Sequence, residues 1–265
     1  MKLDDIKNKI NKILQIEENL KKDFSWLKKG KKKFKKGVYF GKKVIIEPNV
    51  FFDTSKGEIA IDDGTKIKAG AVLRGPLYIG INSVVNSFAE ISCSRIGDVC
   101  KIGGEVEKSF INDYTNKAHH GFLGDSYVGS WVNIGGGTSV SNLKNTYSTI
   151  KVGGIDTEQQ HFGVIINDYV KTAINTSIFC GKVIGESAHL YGTVTEDIPA
   201  FTSHVSAGNL YELPLELAIR IQKVMSARRN IKFTEKDEKD FEKLFKETEI
   251  DRKKAGVKKE KLSFK

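Results

Sequence analysis

Aliphatic residues recur every six positions along the middle of this chain. Ile61, Ile67, Leu73, Ile79, Val85 and Ile91 follow one another at that spacing. The frame slips by one and continues at Ile96 and Ile102. It returns at Val128, Ile134 and Val140, and again at Ile178, Ile184 and Leu190. A period of six matches neither helix nor a long alternating strand. It fits a solenoid whose coil is three short strands joined by tight turns, with one aliphatic per hexapeptide pointing inward. Gly64, Gly70, Gly80, Gly97, Gly103, Gly129, Gly135 and Gly185 recur between the aliphatics. They are expected to serve turns, where glycine takes a positive φ at no steric cost. A β-sandwich would place its turn signals every ~8–12 residues instead. Residues 38–213 are therefore expected to form an all-β solenoid, a parallel β-helix.

The ends follow another pattern. Ile6, Ile10, Leu14, Leu20, Phe24 and Leu27 recur at roughly helical spacing. Residues 1–37 thus read as an amphipathic helix followed by a basic linker, KKGKKKFKK. Pro214 opens a second helix, and Thr234 with Asp237 resembles a capping box opening a third. These make up residues 214–250, with 251–265 expected as a disordered basic tail. The six-residue frame is lost between Asn142 and His161. That stretch reads as a loop projecting from the coils, and such loops often carry function.

Charge changes the picture little. Residues 1–37 carry 13 basic and 5 acidic side chains, and residues 220–265 carry 16 and 9. The total is +10, so the body is about −5 and the basicity belongs to the ends. A phosphate-bearing partner is compatible with this. No aromatic-plus-arginine nucleic-acid motif accompanies the lysines. No stretch approaches the ~20 apolar residues of a membrane span. Charges stand where a signal peptide would have its apolar core. Cys93, Cys100 and Cys180 lack CxxC spacing and fit a reducing cytoplasm.

The hexapeptide body, the segment AHHGFLGDSYVGSWVNIGGGTSVSNLKNTYSTIKV (118–152) and VMSARRNIKFTEKD (224–237) carry a resemblance. They are similar to the sugar nucleotidyltransferase/acetyltransferase family, which includes the bifunctional glucosamine-1-phosphate acetyltransferase–N-acetylglucosamine-1-phosphate uridyltransferase. The resemblance covers roughly residues 38–240, and it is to the C-terminal, acetyltransferase half. It implies a left-handed β-helix, a homotrimer with the coenzyme between neighbouring β-helices, and acetyl-CoA as acyl donor with no metal. The acceptor it implies is an amino sugar phosphate or a nucleotide-linked amino sugar. The glycine-rich phosphate loop of the family's nucleotidyltransferase domain has no counterpart here. ILQIEENLKKDFSWLKKG (13–30) looks like the connector that would follow that domain, which was either lost or is a separate chain.

The chemistry has a place in the same block. Removing a proton from an amine near neutral pH suits a histidine. His119 lies six residues before Asp125, the register of the family's catalytic histidine. Projecting the inward frame back from Ile134 and Val128 puts Phe122 and His120 inside and turns His119 outward. The resemblance carries over Glu105 as a residue that orients the base and Asn142 as one near the reacting group. Asn133, Phe122 in place of a tyrosine, and Lys144 fall at sugar-contacting positions. Gly136, Ile174 and Gly192 fall where the coenzyme is met. Two family cations are missing: Ser92 and Glu107 stand where an arginine and a lysine bind phosphate. Arg74, Arg95 or Lys108 could replace them.

Two other readings compete. A zinc β-helix enzyme needs three histidines, two of them closely spaced; His161, His189 and His204 are too scattered, and adjacent His119 and His120 rarely share an ion. A non-catalytic trimeric scaffold for a separate nucleotidyltransferase chain would explain the lost cations, but not the retained His119, Asn133 and Asn142.

Overall fold

The computed structural model describes residues 2–260 and residue 262. The body is a parallel β-helix of stacked three-strand coils. One face runs from Val38–Phe40 through Ile59–Ile61, Leu77–Ile79, Arg95–Ile96, Phe110–Ile111, Tyr127–Val128 and Ile165–Ile166 to Val183–Ile184. A second face stacks Ile45–Ile46, Lys66–Ile67, Val84–Val85, Lys101–Ile102 and Asn116–Lys117. Asn133 bridges that stack to Lys171–Thr172 and His189–Leu190. The third face stacks Phe51–Asp53, Val72–Arg74, Glu90–Ser92, Glu105–Glu107 and Phe122–Gly124. It continues as Ser139–Val140, Ser177–Ile178 and Thr193–Val194.

All fourteen aliphatics of the sequence frame lie inside, none more than 4% exposed. Small hydroxyl residues line the buried corners and bond across coils. Thr65 Oγ1 donates to Gly80 O at 2.7 Å, and Thr115 Oγ1 to Gly129 O at 2.7 Å. The glycines have a different role from the one expected of most of them. Gly64 and Gly70 do take positive φ. At Gly97 and Gly129, however, a Cβ would stand 2.8 and 2.6 Å from the backbone nitrogens of Asp113 and Asp168 on the next coil. Close approach of stacked coils requires glycine there. The positive φ values often fall on larger residues instead, including Val99, Tyr114 and Trp131.

The N-terminal amphipathic stretch is two helices, α1 (Leu3–Leu14) and α2 (Ile16–Leu27), broken at Gln15. Both lie on the first face. Ile16, Leu20, Phe24 and Leu27 cover Ala60 and Tyr78. Ile6, Ile10 and Ile13 pack with Tyr127, Ile165 and Val183. The segment 142–161 does not project freely. Lys151–Val152 pairs antiparallel with Ile155–Asp156, and Ile150, Val152 and Phe162 are buried in the same cluster as α1.

At the other end, α3 (Leu215–Ala227) and α4 (Glu235–Glu247) pack around Phe201 and Leu213. The Thr234–Asp237 capping box is formed. The tail departs from the expected disorder. Glu249–Lys254 form α5, where Arg252 is 2% exposed and its guanidinium bonds Glu212, Thr248 and the Phe245 carbonyl. A buried arginine with its donors satisfied anchors the segment. Lys258 bridges to Tyr211. Residues 261 and 263–265 of the expected tail lie outside the described residues. No described helix is long and apolar enough to cross a membrane.

Candidate functional site

His119 sits on the corner between the second and third faces, and its side chain is exposed. Gly136 lies one coil further on. A Cβ built there would stand 3.5 Å from His119 Cβ and 3.6 Å from Cγ, so bare backbone faces the imidazole. The Gly136 carbonyl accepts from the Asn175 N–H at 2.8 Å, and the Gly192 carbonyl accepts from Ser177 at 3.0 Å. Gly136 N–H has no acceptor among the described residues. His119, Gly136, Ile174 and Gly192 thus form one column along the corner. Ile174 is 72% exposed, giving the column an apolar surface.

What holds the corner was missed in the sequence. Lys117 points inward and is 2% exposed. Its Nζ donates to the carbonyls of Gly103 (2.7 Å), Gly121 (2.7 Å) and His119 itself (3.2 Å). The His119 carbonyl is thereby drawn inside. Burial pushes the ammonium down to about 8, against the nearby charge of Glu105 that favours it. Counting six from Ile111 reaches Lys117, and six more reaches Leu123, so the frame held the signal. The next step, from Leu123 to Val128, is five residues. That slip corrects the projection made from Val128. Leu123 is the core residue at 1% exposure, and Phe122 points outward. His120 does not face the core either. Its side chain is exposed and its carbonyl accepts from Gly137 N–H at 3.1 Å.

A polar cleft of about 470 Å³ lies along the third face, lined by the coils before that of His119 and by Glu17 of α2; His119 is not among its lining residues. Glu105 lies in register beside Glu90 and Phe122, and Glu107 beside Ser92 and Gly124. Glu105 makes no side-chain hydrogen bond to His119 among the described residues; the His119 backbone is held by Lys117 and the coil rather than by this carboxylate. Asn142, one coil beyond the cleft's lining, donates to Asp125 Oδ2 at 2.7 Å. Lys108 approaches the other oxygen of that buried carboxylate at 3.9 Å. Asp125 was recognised in the sequence only as a register mark.

The remaining sequence candidates scatter. Arg74 lines the cleft but is ion-paired with Glu90, the residue beside Ser92's strand neighbour, and is not a free phosphate ligand. Arg95 lies on the first face, over the rings of Tyr78 and Phe110. Lys144 donates to Thr149 O within its own loop at 2.5 Å. Asn133 is on the second face, where Asn116 Nδ2 stands 3.4 Å from its Oδ1, on the far side of the corner from the cleft. Carboxylates crowd the cleft: Glu17, Asp53, Glu90, Glu105 and Glu107 outnumber Lys56, Arg74 and Lys108. Cys93 at its edge is pushed up to about 11, first by burial and then by the charge of Glu17. Among the described residues no group of three His, Cys, Asp or Glu side chains is placed to hold a metal ion.

No family model matches the chain. Curated proteins do. The bifunctional protein GlmU of Synechococcus elongatus is 30% identical over 164 residues, 60% of this chain and 32% of that protein. The GlmU of Acaryochloris marina is 35% identical over 183 residues, 61% of this chain and 36% of that one. A bifunctional sugar-1-phosphate nucleotidylyltransferase/acetyltransferase of Sulfurisphaera tokodaii is 33% identical over 148 residues, 51% of this chain and 36% of that one. The chain thus spans about a third of the length of these relatives. Among solved structures, an Arabidopsis UDP-N-acetylglucosamine acyltransferase overlaps 83% of this chain and 88% of its own, at 17% identity and a TM-score of 0.39. By sequence, this chain is similar to the C-terminal half of the bifunctional GlmU proteins.

Proposed function

We propose that this chain transfers an acetyl group from acetyl-CoA to the amine of an amino sugar phosphate or nucleotide-linked amino sugar. The observation that carries the reading is the exposed His119 imidazole set against the bare backbone of Gly136. The imidazole takes the proton as the amine nitrogen bonds to the thioester carbon. The Gly136 N–H hydrogen-bonds the carbonyl oxygen as charge builds there. The carbon–sulfur bond then breaks, and the thiolate leaves with a proton returned by His119. Ile174 and Gly192 offer an apolar, backbone-rich strip for the donor's pantetheine arm. Asn142, fixed by Asp125, would position the acceptor, and the acidic cleft attracts its ammonium form. Glu105 would act on that charge rather than by touching the base. Phe122 offers its ring edge to the sugar. Asn133 on the second face and Lys144 in its own loop stand apart from the third-face cleft. A homotrimer in the cytoplasm, with a neighbouring copy completing the site, accommodates them.

A second reading is favoured by one feature. Arg74 is occupied by Glu90, and Glu107 stands where the family places a cation. A cleft in which carboxylates outnumber cations fits a trimeric scaffold that no longer turns over, partnering a separate nucleotidyltransferase chain. Thiol release from acetyl-CoA over a panel of amino sugars separates the two. Acyl transfer predicts turnover with at least one acceptor and a fall in kcat of roughly 10²- to 10⁴-fold in His119→Ala. Turnover untouched by that substitution would sink the histidine-base assignment, and none with any acceptor favours the scaffold.

A further inference from the structure

The second face carries a cavity apart from the acidic cleft; it shares only Asn133 with the acyl-transfer reading. It encloses about 250 Å³ between the coils and the end of α3. Lys171 stands in its floor, in register with His189 on the next coil and Asn133 on the one before. Its Nζ donates to Tyr169 O at 2.8 Å. Arg228 and Arg229, from the turn after α3, form the wall. Arg229 Nη2 donates to Asn116 Oδ1 at 2.8 Å, which fixes the guanidinium over the cavity. Trp131 closes one side, its ring stacked on Tyr114 at 4.4 Å and 9°.

The charge here is unbalanced. Three cationic side chains line the cavity and no carboxylate does. None of the three forms an ion pair among the described residues, whereas Arg74 in the acidic cleft does. Burial pushes the Lys171 ammonium down to about 8. Burial and then the charge of Lys171 push His189 down to about 4. Lys171 and Arg229 are half-buried and Arg228 is exposed, and an anion would offset the mutual repulsion of the three. Arginine forks match phosphate oxygens in pairs, and a lysine adds a point charge.

We propose that this cavity binds the phosphate or diphosphate group of a phosphorylated small molecule. Arg229 and Arg228 grip the oxygens, Lys171 neutralises them from below, and the ring of Trp131 borders the rest of the ligand. The volume suits a diphosphate and is small for a whole nucleotide. The site stands or falls independently of acyl transfer.

Trp131 reports on it directly. The chain has two tryptophans, and the other, Trp26, is 66% exposed on α2. In a full-length Trp26→Phe protein, inorganic pyrophosphate at ~0.1 M salt is expected to change Trp131 fluorescence saturably. Arg229→Ala and Lys171→Met should each weaken binding about tenfold or more, a lost charge-assisted contact. Arg228 is exposed, so Arg228→Ala keeps the test intact if Lys171→Met does not fold. Lys32→Ala with Lys33→Ala, in the basic N-terminal run, should change nothing. No saturable response up to several millimolar, or wild-type affinity in both Arg228→Ala and Arg229→Ala, overturns the site. Adenosine 3′,5′-bisphosphate and glucosamine 1-phosphate, titrated in parallel, then assign the group to a donor-like or an acceptor-like ligand; saturable binding of either supports the site.

Discussion

Lys117 holds a position between Ile111 and Leu123 where the solenoid pattern asks for an aliphatic. Its ammonium is satisfied by three carbonyls, yet desolvation still dominates and lowers its pKa to about 8 from 10.5. Between those values the unfolded chain keeps a proton that the folded chain has lost. This side chain's contribution to stability therefore rises with pH across that window, and below about pH 8 its burial cost is fully present. Cys93, pushed up to about 11, pulls the other way over part of the same range, so the contribution is read as a difference. Urea denaturation at pH 7.5 and 10 should show wild type gaining on Lys117→Met by up to about 3 kcal/mol over the whole window. A pH-independent difference would remove this account. At Gly136 the outcome separates stability from activity. Alanine there meets only ordinary contacts, the nearest 3.5 Å away, so stability should stay within about 0.5 kcal/mol. Its methyl would sit against the His119 ring, and kcat should fall roughly ten- to a hundredfold. Neighbouring Gly121 has φ +124 and a Cβ path blocked by Thr138 O, so it does not tolerate the same change.

The elements around the coils depend on one another more than their own patterns suggest. The segment 142–161 has too little apolar surface to fold alone, and it is held by α1. Gly153 and Gly154, at φ +54 and +84, turn a two-residue hairpin between Val152 and Ile155. A glycine pair between two aliphatics is a hairpin signal, and it was legible in the sequence. Which surface the hairpin would cover was not, because its partner, α1, lies more than 130 residues away in the chain. Ile10, 4% exposed, sits in that contact. Ile10→Ala should cost about 2–5 kcal/mol locally. Amide exchange should then quicken over residues 150–157 but not in the strands of the central coils. Uniform acceleration throughout would mean that α1 is part of one cooperative unit with the solenoid. At the other end, α5 escaped notice because five of its six residues are charged. The partners that bury Arg252 come from 40 residues upstream at Glu212 as well as from α4.

Across the whole molecule, each face of the β-helix has a separate use. The first face is covered by α1 and α2, the second holds the cationic cavity against α3, and the third presents the acidic cleft. Asn133 lies on the second face and His119 at its corner with the third, and the proposed trimer would have a neighbouring copy complete the site. Sedimentation equilibrium should accordingly give the mass of three chains. A single-chain mass with full transferase activity would refute the shared site. The sequence by itself determined the solenoid and its inward aliphatics, because a six-residue repeat leaves few ways to stack a core. It also pointed to the His119 block and to the Thr234 cap, both local patterns. Only the tertiary structure decided that Phe122 points out and Leu123 in, since a single five-residue step reverses the register. It alone committed Arg74 to Glu90, aimed Lys117 at the carbonyl of His119, and gathered Lys171, Arg228 and Arg229 without a counter-charge. Stacking coils makes neighbours of residues about 15–20 positions apart, and a returning helix makes neighbours of residues much further apart. No local spacing encodes either kind of contact.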